Sequence, residues 1–426
     1  MSIMTKASAI RSRSLKASIA TGAVLASAAL VLSGCSTPGG GGGGGEVEDL
    51  ALTIGTALPQ TGNLAFLGPP EEAGVAFAVS QINEATADTG LTLDVVYGDS
   101  GDTDNKAYET EIPRLLGENV SGIIGAASSG TSLQFIDQVV GAGVIQFSPA
   151  NTSDAFSTYD DNGLYFRTAP SDVLQGEVLG NLIAEDGNQT LGMIVLNDSY
   201  GTGLAKYVTE AFEAAGGSVV AAPTYNTGDT IFTTQISEVL AAAPDAIALI
   251  TFDEVSTILP GLFGQVDPSK LYFVDGNLKN FGDAFPAGSL TGSKGTLPGL
   301  SIDAIGDFTG QLDDFLASSG GEPLEDYSYA AESYDATVLI ALGALAAGST
   351  VGTEIAAKLQ EVSGGSGDGE KCTTYADCAA IIVGGGVADY DGISGPITLD
   401  DVGDPTEASI GIYQYGEDNN YSAFNG

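Results

Sequence analysis

From about residue 50 onward, short apolar runs alternate with longer segments in which apolar positions recur every three or four residues. The first pattern suits strands buried on both faces, the second amphipathic helices laid on a sheet. Leu52–Leu58 predicts a strand and Glu71–Ala85 the helix after it. Leu91–Tyr97 with Asn105–Leu116 repeats the pair, Gly122–Gly125 with Ser132–Val140 repeats it again, and Val144–Phe147 adds a fourth strand. A second series opens with helix Val173–Ile183 and runs through strand Thr190–Leu196, helix Gly203–Ala215 and strand Val219–Ala222. Helix Ile231–Ala242 and strands Ala246–Thr251 and Leu271–Val274 complete it. Two such series in tandem predict an α/β fold of two doubly wound parallel-sheet lobes. Ligands of open parallel sheets sit beyond the carboxyl ends of the strands, so polar residues just after each strand become the candidates for a site.

The N-terminus follows another logic. Lys6, Arg11, Arg13 and Lys16 precede an uncharged, Ala-rich run from Ala17 to Leu32, which ends Leu32-Ser33-Gly34-Cys35. A basic head and a short apolar run predict a secretory signal over 1–34, too short and too rich in small residues for a spanning helix. The Ser-Gly-Cys ending resembles a bacterial lipobox, which implies lipidation of Cys35. Seven glycines, Gly39 to Gly45, follow, so 35–48 reads as a flexible tether. No Gly-Lys-Ser/Thr follows the run, which removes the phosphate-loop reading.

Composition narrows the class. The chain has 13 Lys+Arg against 55 Asp+Glu, and four of the basic residues fall in the signal. So acidic a body disfavours nucleic acid and anionic lipid as partners, leaving the acyl anchor as the membrane contact. Histidine is absent, which removes Ser-His-Asp and Cys-His catalysis and every His-containing metal site. We expect no enzyme activity, no cofactor and no metal. Of three cysteines, Cys372 and Cys378 remain after Cys35, and their spacing in an exported chain suggests a local disulfide. The acidic run Asp99-Ser100-Gly101-Asp102-Thr103-Asp104-Asn105 lacks the glycine and the closing glutamate of a calcium loop, and reads as a turn before a helix.

Several short motifs carry a resemblance. They are Ile54-Gly55-Thr56-Ala57-Leu58-Pro59-Gln60-Thr61-Gly62 with Gly68, Gly74 and Ile82-Asn83, then Ser148-Pro149-Ala150-Asn151-Thr152, Tyr165-Phe166-Arg167-Thr168 and Asp198-Ser199-Tyr200-Gly201. Tyr334-Asp335-Ala336 and Gly395-Pro396-Ile397 extend the set toward the C-terminus. In this order they resemble the leucine/isoleucine/valine-binding family, the type I periplasmic binding proteins of ABC importers. The resemblance implies two lobes joined by a three-strand hinge, at Pro170-Ser171, Pro298-Gly299 and Val402-Gly403. Lobe 1 is then 49–170 plus 300–401, and lobe 2 is 171–299 plus 402–426.

An α-amino acid needs donors for its carboxylate and acceptors for its ammonium. Ser128-Ser129-Gly130-Thr131 lies between an apolar run and a helix, the place where unpaired N–H groups favour an anion, although plain capping would use the same residues. The family pattern implies that Ser129, the backbone of Ala150 and the hydroxyl of Thr152 hold the carboxylate. Asp275 follows the strand Leu271–Val274 and is the candidate ammonium acceptor, or else one more acidic loop residue. Tyr200 matches a family tyrosine that closes over the ligand, and Phe252 and Tyr329 are candidate apolar walls. Leu67 stands where branched-chain binders carry tyrosine, so the side-chain specificity stays open. The implied function is an extracytoplasmic lipoprotein, monomeric and lipid-anchored at the outer face of the cell membrane. It would capture a small amino acid by hinge closure and deliver it to an ABC permease and ATPase. Amide- or urea-type solutes, or an extracellular sensing role, are the alternatives.

Overall fold

A computed structural model describes residues 49–424, so the signal, the tether and Cys35 lie outside the described residues. Strands β1 (Leu50–Ala57), β2 (Leu91–Val96), β3 (Gly122–Gly125), β4 (Ile145–Ser148) and β5 (Tyr165–Arg167) form one sheet in the order β2-β1-β3-β4-β5. All its pairings are parallel. Every residue of β3 and β4 is buried, which is why these strands read as unbroken apolar runs. Helices α1 (Gly68–Glu84), α2 (Thr86–Thr89), α3 (Tyr108–Gly117) and α4 (Ser129–Gly141) connect them.

The chain then passes through α5 (Asp172–Glu185) into a second sheet. Its strands are β6 (Thr190–Leu196), β7 (Ser218–Ala221), β8 (Thr224–Tyr225), β9 (Ala246–Ile250), β10 (Leu271–Phe273) and β11 (Lys294–Pro298). Helices α6 (Ser199–Ala214), α7 (Thr233–Ala241) and α8 (Val255–Leu262) lie between them. The sheet order is β7-β6-β9-β10-β11, with β8 also on β6. Two doubly wound parallel sheets are therefore present, each with its own apolar core.

After β11 the chain returns to the first core with α9 (Gly306–Ser318), α10 (Ala330–Ala347), α11 (Gly352–Val362) and α12 (Tyr375–Val383), and the small pair β12 (Glu370–Cys372) and β13 (Ala388–Tyr390). Helix α10 is buried from Ala330 through Ala344 and lies against both α1 and the first sheet. A helix covered on all sides needs no solvated polar face, and its polar residues, Glu332, Ser333, Asp335 and Thr337, are buried with the rest. Cys372 and Cys378 are joined by a disulfide with a Cα–Cα separation of 5.3 Å, fastening β12 to α12.

A division of the lobes at Val402-Gly403 is corrected here. Gly403 O accepts from Arg167 N at 3.1 Å, and Asp404 pairs with Arg167, so this segment stays with the first sheet. The return to the second sheet comes at β14 (Ile410–Tyr415), antiparallel to β11, followed by β15 (Tyr421–Ala423). Helix α3 also starts later than the expected Asn105. Lys106 has φ 56°, outside the helical region, and Asn105 Oδ1 accepts from Asp102 N and Ala107 N instead of joining a helix.

Candidate functional site

Three helices that follow strands of the two sheets start with a side chain accepting from their own first turn. Ser128 accepts from Thr131 N on α4, Ser171 from Val173 N on α5 and Asp198 from Gly201 N on α6. The remaining N–H groups at such ends give a local positive potential. Between the sheets lies a small cavity, with room for about one water molecule. Leu64, Leu67, Ala127, Ser128, Ser129 and Ala150 line it from the first sheet's loops, and Tyr200, Phe252, Asp275 and Gly276 from the second's. Tyr329, at the start of α10, completes the wall. Tyr329 has φ 61°, a left-handed conformation rare for a bulky residue.

The structure thus brings Leu67, Ser129, Ala150, Tyr200, Phe252, Asp275 and Tyr329 around one cavity. Thr152 is not on the wall. It is fully buried behind it, and its N–H and that of Ser153 both donate to Ser129 Oγ at 3.3 Å. This leaves the Ser129 hydroxyl proton free to donate. The Ala150 N–H donates to Ser148 Oγ at 3.2 Å.

Asp275 is the polar centre. Its Oδ1 accepts from Tyr200 OH at 2.7 Å and Gln175 Nε2 at 2.9 Å, and its Oδ2 from Tyr329 OH at 2.9 Å. Burial pushes its pKa up, and the three donated hydrogen bonds oppose that rise. Tyr200 stacks on Phe252 with ring centroids 5.3 Å apart, so one aromatic pair both donates to the carboxylate and forms an apolar wall.

A second carboxylate escaped the sequence reading. Asp172, the first residue of α5, is fully buried, and neither of its oxygens has a hydrogen-bond partner among the described residues. The Thr152 hydroxyl beside it meets no partner at hydrogen-bond geometry, yet it faces the Asp172 carboxyl and opposes the rise in its pKa. Burial holds the Asp172 pKa well above the carboxylate range, and the nearby Asp275 charge raises it further. Two buried carboxylates, one with open acceptor positions, and an unspent hydroxyl suit a cationic group. The signal was present in the chain, since Asp172 follows a strand end, but β5 has only three residues and one of them is Arg167.

Behind Tyr329 a small neighbouring cavity is walled by Leu297, Ile302 and Glu332 among others. Glu332 is buried, and burial with the Asp335 charge pushes its pKa up to about 8. It faces Glu71 on α1, whose carboxyl is fully buried and unpartnered. Gly299, with φ +95°, passes so close that a Cβ there would lie 2.2 Å from Glu332 Oε1. A raised folded-state pKa contributes stability that is fully present below the ordinary value of 4.5 and lost as pH rises through about 8. Glu332→Gln is therefore expected to melt higher than the parent protein at pH 9, by on the order of 3 kcal/mol, and to match it near pH 5. Thermal melts across that range check it.

Comparison with known proteins gives a consistent picture. A family profile described as Periplasmic binding protein matches residues 51–374. A leucine-, isoleucine-, valine-, threonine- and alanine-binding protein of Pseudomonas aeruginosa is 30% identical over 193 residues. That alignment covers 45% of this chain and 51% of the relative, so the chain spans about half of that protein's length. A chemotactic signal transduction system substrate-binding protein of Halobacterium salinarum is 24% identical over 366 residues, 82% of this chain and 83% of its own. Among solved structures, a branched-chain amino acid transporter substrate-binding protein of Streptococcus pneumoniae, in complex with isoleucine, has a TM-score of 0.67 at 20% identity. It covers 88% of this chain and 99% of its own.

Proposed function

The chain belongs to the periplasmic binding protein family, and on that premise we propose that it captures a small α-amino acid between its two sheets by hinge closure. The reading extends to an extracytoplasmic lipoprotein, tethered through Cys35, that passes its ligand to an ABC permease and ATPase. The observation that carries it is the pair of buried carboxylates, Asp172 and Asp275, beside an unspent Thr152 hydroxyl. Asp275, on the cavity wall, would compensate an ammonium's charge, and Asp172, set behind that wall beside Thr152, would offer it open acceptor positions. The Ser129 hydroxyl and the start of α4 would receive the carboxylate. Leu64, Leu67 and Phe252 leave an apolar remainder for the side chain. Ligand affinity would come from differential stabilisation of the closed form, with no bond made or broken.

A thermal-shift panel of aliphatic and polar amino acids, amides, urea and short-chain acids tests the ligand class. A ligand that binds only the folded state raises the melting temperature once its concentration exceeds the dissociation constant. A rise with one or more L-amino acids, lost in Thr152→Ala, is the expected result. A rise with amides or urea alone would replace the ammonium reading. The chemotactic relative, which aligns over most of this chain, favours a second reading in which the same capture reports to a receptor.

A further inference from the structure

The acidic turn 99–105 has no part in the site just described, yet it frames the loop that enters it. Asp99 accepts from Gln60 N, Thr61 N and Thr61 Oγ1, and Asp102 Oδ1 accepts from Asp104 N and Asn105 N. The remaining oxygen, Asp102 Oδ2, accepts from Asn63 N at 3.0 Å. Gly62, with φ +93°, makes room for it, since a Cβ there would lie 2.6 Å from that oxygen. With its own backbone so fixed to the first sheet, Asn63 reaches across to the second. Its Nδ2 donates to Glu254 Oε1 at 2.6 Å, and its carbonyl accepts from Asp253 N at 3.2 Å. Glu254 is buried, and its other oxygen accepts from Tyr225 OH and Phe252 N, both at 3.1 Å.

The two loops joined in this way are the ones that supply Leu64 and Phe252 to the cavity wall. We infer that Asn63 is a closure latch, positioned by Asp102 and seated on Glu254 and Asp253 of the opposite loop, that sets how long the closed form holds its ligand. The latch touches no ligand atom in this reading; it lengthens residence without changing which solute is chosen. A hydrogen bond to a desolvated carboxylate that forms only on closure stabilises the closed form selectively, so its loss appears in the release rate. The inference rests on capture by hinge closure, but not on the ligand being an amino acid.

Two substitutions of the half-buried Asn63 separate the possibilities. Asn63→Ala removes the donor, and Asn63→Asp sets a carboxylate against Glu254. Small-angle scattering of the ligand-free protein is expected to show a larger radius of gyration in both variants, most in Asn63→Asp. Stopped-flow release of L-isoleucine from Asn63→Ala is expected to be about tenfold faster, with the association rate within about twofold of the parent value. Scattering unchanged in both variants overturns the latch, whatever becomes of isoleucine. If isoleucine fails to bind the parent protein while scattering responds as expected, the latch stands and the proposed ligand is the part that fails.

Discussion

Asp172→Asn is expected to weaken amino-acid binding by at least a hundredfold while making the ligand-free protein more stable. The two effects have opposite signs for one reason. Asp172 is buried with no hydrogen-bond partner, so its ionised form is costly until a cation arrives. Its raised pKa contributes stability that is present below the ordinary value of 3.8 and lost as pH rises through the folded-state value. Asparagine carries no charge to lose, so the ligand-free variant should melt higher than the parent at pH 7 and converge with it in acid. The ammonium, in turn, loses its open partner, and removing one member of a buried charge pair costs about 3–5 kcal/mol, or about two to nearly four orders of magnitude in affinity. Calorimetric titration with the amino acid found by the thermal-shift panel gives the affinity, and melts from pH 4 to pH 8 give the stability. Unchanged affinity with raised stability would leave Asp172 as a strained acid with no role in binding.

The second large effect concerns Arg167, which is fully buried. Its Nε and Nη2 donate to the two oxygens of Asp404 at 2.6 and 2.7 Å, and Nη1 donates to the carbonyls of Asn151 and Ser153. One side chain thus fastens the C-terminal segment to the first sheet and holds the backbone on either side of Thr152. Arg167→Met leaves Asp404 with only the Ser157 hydroxyl and two carbonyls without partners, and is expected to lower the unfolding free energy by about 3–5 kcal/mol in denaturant titrations. Arg167→Lys should recover little of it, because a single ammonium cannot reproduce the planar fork. If Arg167→Lys unfolds with the parent midpoint, the planar geometry is irrelevant and only charge counts.

The parts of the molecule legible in the sequence are those where apolar runs end in a polar or aromatic residue. Asp275 and Phe252 each follow such a run, and Ser129 and Tyr200 come within a few residues of one, so the rule that sites gather at strand ends led to them. Tyr329 was named only as an aromatic, since nothing in the chain announces its left-handed backbone. Asp172 was missed because β5 is short and its charged Arg167 hides it among loops. Beyond residue 300 the reading gave no elements at all. Helix α10 buries residues on every face, its acids Glu332 and Asp335 included, which erases the periodicity that marks a surface helix, and β12, β13 and β15 have three residues each. The late return to the second sheet was illegible for another reason. It depends on the pairing of Asp404 with Arg167, a contact between residues distant in sequence.

The placement of α10 also bears on how the molecule is made. The strands of the first sheet are all translated before the second sheet begins, yet the helix that seals their apolar face is encoded only after β11. A nascent chain can therefore assemble the first five strands and still lack their cover. Contacts so far apart in sequence close slowly. If the chain is exported as proposed, such a delay would keep the first half loose until synthesis is nearly complete. Moving the α10 segment forward in a circular permutant should make folding faster and secretion poorer.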